Sequence, residues 1–397
     1  MPYFKSPLIY TASTKGILPD HVIEIDDEGK IISIDHFSRY PASTTITHIP
    51  NMIMPGMVNA HCHLELSHMK GRIASGTGLI EFIKSIVTQR NADINEIQNA
   101  IQTAEAEMYK NGIVAVGDIS NVIDSFEQKA KGRMYYHTFV EAFDLMVSDN
   151  APVEYNKSLS IYNKLKSSDR NKKSIVPHAP YSVSDTLFSL INNHRQENTS
   201  TSIHHQETEA ENLFVSEKKG ALVDFFLGFG ISLDQYTPHG EPASHRVMDH
   251  MASNQKTLLV HNTMSTTEDI KDIEAWNREV YWVTCPNANL YIENRLPQYK
   301  LWIDEKAKVC IGTDSLASNW QLNILEEMIT IQKYQSDVST ENLIEWATIN
   351  GAKALGFDDL LGSIEVGKSP GLVQIDGFDL RAKRFDKYSV ASRIDLF

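Results

Sequence analysis

The chain carries, at residues 52–68, the segment MIMPGMVNAHCHLELSH, in which an apolar run leads directly into a pair of histidines. The apolar part is typical of a buried strand, and side chains along a strand alternate between its two faces. His61 and His63 therefore point to the same face, and Cys62 points to the opposite one. Two neutral imidazoles on one face can share a divalent metal ion. Histidine pairs at this spacing also occur in loops and cores, so the pair indicates a metal site only if further ligands exist.

Composition restricts the class of protein. The 397 residues suit a barrel of about 250 residues with additions, and 42% hydrophobic residues are enough for a large core. The formal net charge of −14 argues against a nucleic-acid polymer as partner, because binding such a polymer requires a basic surface. The sequence has no signal-peptide pattern and no apolar stretch long enough to cross a membrane. Since the three cysteines form no disulfide framework either, we expect a cytoplasmic protein with no membrane partner.

From residue 53 onward, apolar runs alternate with amphipathic ones. We expect eight strands, namely MIMPGMV, IVAVGD, MYYHTFVEAF, KSIVPH, TSTSIHH, KTLLVHN, EVYWVTC and KVCIGTD. The runs between them, such as LIEFIKSIVTQR, place apolar residues three and four positions apart, as in an amphipathic helix. Eight β–α units predict an α/β fold of the (β/α)8 TIM-like barrel type, in which the active site lies at the C-terminal ends of the strands.

Both ends of the chain have a different pattern, with short strands separated by glycine and aspartate turns. The start contains LIYTAS, HVIEID and KIISID, and the tail contains LLGSIEVGKSPGLVQIDGFDL. We expect the tail to complete the N-terminal β unit in one small composite domain. The predicted division is therefore residues 1–52 plus 358–397 for the composite domain and residues 53–357 for the barrel.

Polar residues collect at the C-terminal ends of the predicted strands. From the first, fourth, fifth, sixth and eighth strands, they are His61, His63, His178, His204, His205, Glu207, His261 and Asp314. Three imidazoles and one carboxylate can hold a divalent metal and leave room for a water, whose pKa the metal lowers towards ~7. The predicted ligands are His61, His63, His204 and Asp314. Glu207 lies just beyond the fifth strand, where a carboxyl group can reach a substrate without binding the metal.

Seven motifs between residue 55 and about residue 375 strengthen this interpretation. They are PGMVNAHCHLELS, PHAPYSVS, IHHQETE, LLVHN, CPNANLYI, GTDSLASN and LGSIEVGKSPGLVQID. In this order they resemble the amidohydrolase superfamily, and within it the mononuclear branch of aminopurine-nucleoside deaminases. The resemblance implies a (β/α)8 barrel with a small β-sandwich domain built from both chain termini. It also implies one divalent ion, with zinc as the first choice and iron as the alternative, because VPHAP stands where dinuclear relatives carry a carboxylated lysine.

The resemblance implies a role for each site residue. Glu207 would protonate a purine ring nitrogen, His261 would orient the attacking water, and Asp314 would be both metal ligand and base. The residues implied to contact the substrate are Glu81, His178, Asn289 and Ser318, with Glu81 in the role of a ribose-binding glutamate. The alternative for Glu81 is an exposed glutamate on a helix. Residues 223–242, rich in Phe and Gly, would form either a mobile wall over the nucleoside or a packed loop.

The implied function is metal-dependent hydrolytic deamination of a 6-aminopurine nucleoside, with release of ammonia. HCHLELS together with GTDSLASN looks most like the 6-amino-6-deoxyfutalosine deaminases of menaquinone biosynthesis. The alternatives are deamination of S-adenosylhomocysteine, methylthioadenosine or adenosine, and hydrolysis of a cyclic amide by the same metal centre. S-adenosylhomocysteine is less favoured, because no arginine clearly matches those that hold the carboxylate of homocysteine-type substrates. A barrel protein that has lost its catalytic activity is disfavoured, because no predicted metal ligand is missing. A homodimer is possible.

Overall fold

The computed structural model describes residues 2–195 and 199–394. Its strands are β1 (Tyr3–Tyr10), β2 (Ile17–Ile25), β3 (Ile31–His36), β4 (Thr47–His48), β5 (Met52–Pro55), β6 (Met57–Cys62), β7 (Ile113–Ser120), β8 (Tyr135–Ala142), β9 (Asn171–Pro177), β10 (Ser200–His205), β11 (Lys256–His261), β12 (Val280–Thr284), β13 (Val309–Ile311), β14 (Leu372–Asp376) and β15 (Val390–Arg393). Its α-helices are α1 (Leu79–Gln89), α2 (Ile94–Lys110), α3 (Phe126–Ala130), α4 (Ala151–Lys164), α5 (Asp185–His194), α6 (Glu209–Glu217), α7 (Ala221–Gly228), α8 (Ala243–His250), α9 (Thr267–Trp276), α10 (Pro286–Glu293), α11 (Tyr299–Asp304), α12 (Ile324–Tyr334), α13 (Thr340–Ala347) and α14 (Ile349–Leu355). No helix in these two ranges is long and apolar enough to cross a membrane.

The two ends of the chain meet in one seven-stranded sheet. Its strand order is β15-β14-β5-β1-β2-β3, and β4 pairs separately with β1. β14 is antiparallel to both β5 and β15, so the tail adds two strands beside the N-terminal ones. Isoleucines of this sheet, such as Ile9, Ile23 and Ile53, are buried together in one hydrophobic cluster. Residues 1 and 395–397 of the predicted composite domain lie outside the described residues.

The prediction of MIMPGMV as a single strand is wrong. β5 pairs with β1 and β14 in the seven-stranded sheet, whereas β6 pairs with β7 in a parallel sheet. Gly56 separates β5 from β6, and its N–H donates to Pro370 O at 3.2 Å and to Gly371 O at 3.1 Å. A Cβ at Gly56 would lie only 2.3 Å from Val114 Cγ1, so only glycine allows this close approach. The chain therefore changes sheets in the middle of a continuous apolar run.

The other eight strands form two parallel sheets, β6-β7-β8-β9 and β10-β11-β12-β13, with helices in the connections. Backbone hydrogen bonds link the edges of the two sheets. His204 N–H donates to His178 O at 2.9 Å, and the N–H groups of Thr313 and Asp314 each donate to His61 O at 3.0 Å. The alternation of parallel strands and helices confirms the predicted α/β class. It also brings the C-terminal ends of β6, β9, β10 and β13 close together.

Candidate active site

The four predicted metal ligands converge at these strand ends. His61 Nε2 lies 3.2 Å from His63 Nε2. Asp314 Oδ1 lies 3.7 Å from His61 Nε2 and 3.4 Å from His63 Nε2. His204 has a ring nitrogen within 4.8 Å of a ring nitrogen on each of the other two histidines. All four side chains are buried or nearly so, and they face one another.

This donor set fits one divalent metal ion. Two ligands bound at about 2.0–2.1 Å to a tetrahedral zinc lie about 3.3 Å apart, close to the separations observed here. His204 Nδ1–H donates to His178 O at 2.9 Å, so the lone pair of His204 lies on Nε2, which is free to bind the ion. A backbone carbonyl thus fixes the tautomer of one ligand, as is usual for metal-binding histidines.

Two of the histidine ligands and Asp314 have the protonation states that a metal requires, for different reasons. Burial lowers the pKa of His63 to about 3 and holds the pKa of His204 well below its usual value, so both rings are neutral. Burial alone would raise the pKa of Asp314. The hydrogen bond with His61 and the charge interactions with His63, His61 and His261 together outweigh that effect and keep the pKa of Asp314 well below its usual value. Asp314 is therefore a carboxylate.

Two of the predicted substrate-contact residues hold other site residues instead. Ser318 Oγ donates to Asp314 Oδ2 at 2.6 Å, and Asn289 Oδ1 lies 2.8 Å from His261 Nδ1. Both side chains are buried behind the residues that they contact, and neither is among the described residues that line the cavity. The structure therefore places Ser318 and Asn289 as supports for Asp314 and His261. Of the four predicted contacts, only His178 lines the cavity.

Glu207 and His261 face each other at the same end of the cavity. Glu207 Oε1 lies 3.7 Å from His261 Nε2. Burial, followed by the negative charges of Asp314 and Glu293, raises the pKa of Glu207 well above its usual value. This shift favours the protonated carboxylic acid, the form that can donate a proton. Glu211 Oε2 accepts the backbone N–H of Glu207 at 3.0 Å and fixes this segment.

The cavity above these residues has a volume of about 250 Å³, and its outer wall is apolar. Two helices and the turn that follows the second provide most of this wall, through Leu79, Phe82, Ile83, Ile86, Val87, Phe225, Phe226, Phe229 and Ile231. The first five belong to α1, which begins after Gly78 and turns its apolar face to the cavity. The last four belong to the predicted wall segment, residues 223–242. We call this apolar surface the outer wall.

Glu81 lies apart from the other predicted site residues, and the ribose contact expected for it stays a prediction. Its side chain is 60% exposed and pairs with Lys84 Nζ at 2.6 Å, one turn further along α1. α1 directs Leu79, Phe82 and Ile83 into the cavity, so the position between them faces solvent. This arrangement agrees with the alternative of an exposed glutamate on a helix.

The cavity also has polar residues that were not predicted from the sequence, among them Arg90, Asn121 and Glu141. Glu141 lies near the C-terminal end of β8, in the otherwise apolar segment FVEAF, so a charged residue at a strand end was an available signal. Arg90 follows α1, and no local pattern distinguishes it from a surface arginine. Its guanidinium Nη2 donates to Glu65 Oε1 at 3.2 Å. The cavity therefore contains a cation that the motifs did not indicate.

The sequence pattern of the amidohydrolase family matches residues 52–394, and the chain therefore belongs to the amidohydrolase family. Members of this family are hydrolases that act on carbon–nitrogen bonds and use a divalent metal. The family match confirms the resemblance that the motifs indicated.

The chain is similar to several aminopurine deaminases. It is 26% identical to the 5-methylthioadenosine/S-adenosylhomocysteine deaminase of Saccharophagus degradans, with 95% of this chain and 85% of that protein covered. It is also 26% identical to the aminodeoxyfutalosine deaminase of Nitratiruptor, with 91% of this chain and 88% of that protein covered. Among solved structures, Helicobacter pylori aminofutalosine deaminase in complex with methylthio-coformycin superimposes with a TM-score of 0.79. That match is 23% identical, covers 94% of this chain and 92% of the other, and establishes a shared fold.

Proposed function

We propose that the protein is a metal-dependent hydrolytic deaminase of a 6-aminopurine nucleoside. The observation that carries the proposal is the placement of Asp314, Glu207 and His261 around the predicted metal site, at the polar end of an otherwise apolar cavity. One divalent ion, with zinc as the first choice and iron as the alternative, would be held by His61, His63, His204 and Asp314. When bound, such an ion lowers the pKa of a water towards ~7.

The residues of the chain divide the proton transfers between them. Asp314, held by Ser318, accepts the proton of the attacking water and passes it to the leaving amine. Glu207, protonated because of its burial, donates a proton to N1 of the purine, so that the ring accepts the electron pair. General acid–base catalysis of this kind contributes ~10²–10⁴ in rate.

His261 orients the attacking water in this mechanism. Asn289 Oδ1 accepts a hydrogen bond from His261 Nδ1–H, which assigns the tautomer whose Nε2 carries the lone pair. His261 Nε2 then accepts a hydrogen bond from the water and holds it in one orientation. Burial lowers the pKa of His261, which favours this neutral ring.

The proposed first substrate is 6-amino-6-deoxyfutalosine, which would place the protein in menaquinone biosynthesis. The outer wall fits a nucleoside with an apolar 5′ substituent, and Arg90 supports one that also bears a carboxylate. The similar relatives act, by their names, on aminodeoxyfutalosine and on methylthioadenosine or S-adenosylhomocysteine. These last two compounds and adenosine are the alternative substrates.

The proposal includes an architecture for the whole chain. The eight parallel strands would form one closed (β/α)8 barrel, joined through the backbone bonds of His204 to His178 and of Asp314 to His61. Residues 53–357 would form the barrel domain, except that β5 pairs in the terminal sheet, and residues 1–52 plus 358–397 would form the β-sandwich domain. A cytoplasmic location and a homodimer remain predictions from the sequence.

A panel assay tests the function. Purified protein is incubated with 6-amino-6-deoxyfutalosine, methylthioadenosine, S-adenosylhomocysteine and adenosine, and ammonia and the 6-oxopurine product are measured together. We expect the two products in equal amounts and the highest kcat/KM for 6-amino-6-deoxyfutalosine. Asp314→Asn protein is the control for contaminating deaminases. Absence of ammonia from every nucleoside would contradict the proposal, and a cyclic-amide substrate would then be the next to test.

A further inference from the structure

His261 has a backbone conformation that residues other than glycine rarely adopt. It ends β11 with a φ of 79°, and Asn262 follows with a φ of 55°, so two consecutive residues lie in the left-handed region. Asparagine tolerates this region, whereas a histidine in it is strained. Strain of this kind persists only where the surrounding structure imposes it. The conformation of His261 therefore requires an anchor.

Asn262 provides this anchor through both polar atoms of its buried side chain. Its Nδ2 donates to Leu259 O at 2.7 Å and to Val283 O at 3.3 Å. Its Oδ1 lies 2.8 Å from His205 Nδ1, and its backbone N–H donates to His205 O at 2.9 Å. The two carbonyl acceptors fix the orientation of the amide, so Oδ1 is an acceptor and His205 Nδ1 carries the proton. Asn262 is thus tied to β10 and to β12, the two strands that flank β11.

His205 is the histidine of the motif IHHQETE that the proposed mechanism does not use. Burial lowers the pKa of His205 to about 4, so the ring is neutral and has one N–H, which donates to Asn262 Oδ1. Its Nε2 is buried and has no hydrogen-bond partner among the described residues. Neither His205 nor Asn262 is among the described residues that line the cavity. Their hydrogen bond therefore lies behind the site, between the ends of β10 and β11.

The anchored turn brings the imidazole of His261 to two residues at the end of β10. The ring stacks on His204, with centroids 5.5 Å apart and planes 19° from parallel. His261 Nε2 lies 3.7 Å from Glu207 Oε1. Thr263 Oγ1, in the same turn, donates to Glu207 O at 2.6 Å. The end of β10 and the turn after β11 are therefore fixed to each other at the place where His261 meets Glu207.

We propose that Asn262, anchored by His205, is a positioning residue that holds His261 in its left-handed conformation and so directs the imidazole to the attacking water. This inference rests on the proposed function and deepens it, because it gives a role in the reaction to two residues outside the cavity. The anchoring hydrogen bonds are the essential feature. Glycine at position 262 would adopt the same φ without strain, but it would lose the three hydrogen bonds of the side chain.

A purely structural role for Asn262 is the alternative, and Asn277 provides a matched control for it. Asn277 is also a buried asparagine that holds its surroundings through its side chain. Its Nδ2 donates to Gln255 O at 2.8 Å, and its Oδ1 accepts the backbone N–H of Glu279 at 2.8 Å. It lies just before β12, at the end of the parallel sheet opposite to the site. Its loss should lower stability without moving His261.

The test is a double-mutant cycle on the zinc-loaded protein. Asn262→Gly and Asn277→Gly are each made in the wild-type chain and in a His261→Ala background, and kcat, KM, metal content and unfolding temperature are measured for all of them. Asn262→Gly alone should lower kcat by about 10- to 100-fold, as when a reacting group is misplaced, with little change in KM or metal content. In the His261→Ala background it should change kcat by less than about twofold, because the ring that it positions is absent.

The control and a second measurement complete the test. Asn277→Gly should lower the unfolding temperature but leave kcat within about twofold of its parent in both backgrounds. A crystal structure of Asn262→Gly should show the His261 ring displaced from Glu207 by about 1 Å or more. If Asn262→Gly does not fold, His205→Leu, which removes one of the anchoring hydrogen bonds, replaces it in the cycle and in the crystal structure. It should also lower kcat only where His261 is present.

The outcomes separate this inference from the proposed function. A kcat for Asn262→Gly within about threefold of wild type would overturn the inference, because the left-handed backbone alone would then suffice. The same factor of loss with and without His261, or an undisplaced His261 ring, would show a purely structural role and overturn it too. Both results would leave the deaminase intact. Absence of ammonia from wild-type protein with every aminopurine would overturn the proposed function, and the inference with it.

Discussion

The two ends of the cavity are built in different ways. The inner end is formed by strand ends and by the first residues beyond them, such as His61, His63 and Asp314, and the backbone N–H of Asp314 donates to His61 O. The outer wall is formed mainly by side chains of α1 and α7, which project from helices. Parallel pairing fixes which strand-end side chains face inward, whereas the rotation of a helix decides which of its residues reach a cavity. We therefore expect the inner end to control the reaction and the outer wall to control which substrate binds.

The largest expected effect comes from the inner end. Asp314→Asn removes a metal ligand and the base of the proposed mechanism, so kcat/KM should fall by more than about 10³-fold. Ammonia release and metal content by elemental analysis are measured on the same preparation. His61→Ala should cause a similar fall in kcat/KM, because it removes another ligand of the same metal site. A variant that keeps its metal and a tenth of wild-type activity would remove Asp314 from the reaction.

Glu207→Gln separates proton transfer from metal binding at the same end. The amide keeps the shape of the side chain but cannot donate the proton, so kcat should fall by about 10²-fold or more while the metal content stays that of wild type. Single-turnover kinetics would place the loss in the chemical step. Near-normal turnover would mean that another residue protonates the ring.

Substitutions in the outer wall should change KM. Phe82→Ala removes a large apolar side chain from α1, so KM for methylthioadenosine should rise by about 10-fold with little change in kcat. Adenosine, which lacks the methylthio group, should be affected less. Steady-state assays of both nucleosides measure the difference. A fall in kcat alone would show that the outer wall also shapes the reacting geometry.

The smallest expected effect on activity comes from substitution of Glu81, whose side chain faces away from the outer wall. Because its side chain is exposed and pairs with Lys84, Glu81→Ala should leave kcat/KM within about twofold of wild type for every nucleoside. The same assay with free adenine is the comparison. A strong loss for nucleosides and none for adenine would support the ribose contact that was expected from the sequence.

Much of the inner end could be predicted from the sequence, because strand periodicity and strand-end position determine it. His61, His63, His204 and Asp314 lie together as expected. The change of sheet at Gly56 could not be predicted, since the apolar run continues through it and only the pairing partners differ on the two sides.

The residues that could not be placed from the sequence are those whose position depends on tertiary packing. Ser318 and Asn289 were assigned to the right region but contact Asp314 and His261, which sequence spacing cannot distinguish from contact with a substrate. Glu81 lies outside the cavity lining because the packing of α1 sets which of its side chains face the cavity. Arg90 lines the cavity only because α1, which it directly follows, ends beside the cavity.

The most direct test of the central claim is a metal titration of metal-free protein. Zinc, and in a parallel series iron(II), is added in fractions of one equivalent per chain, and ammonia release from the best nucleoside of the panel is measured at each step. The account predicts that activity is absent without metal, rises in proportion to the added ion and reaches its maximum at about one ion per chain. Full activity from the metal-free protein, or a maximum reached only at two ions per chain, would contradict it.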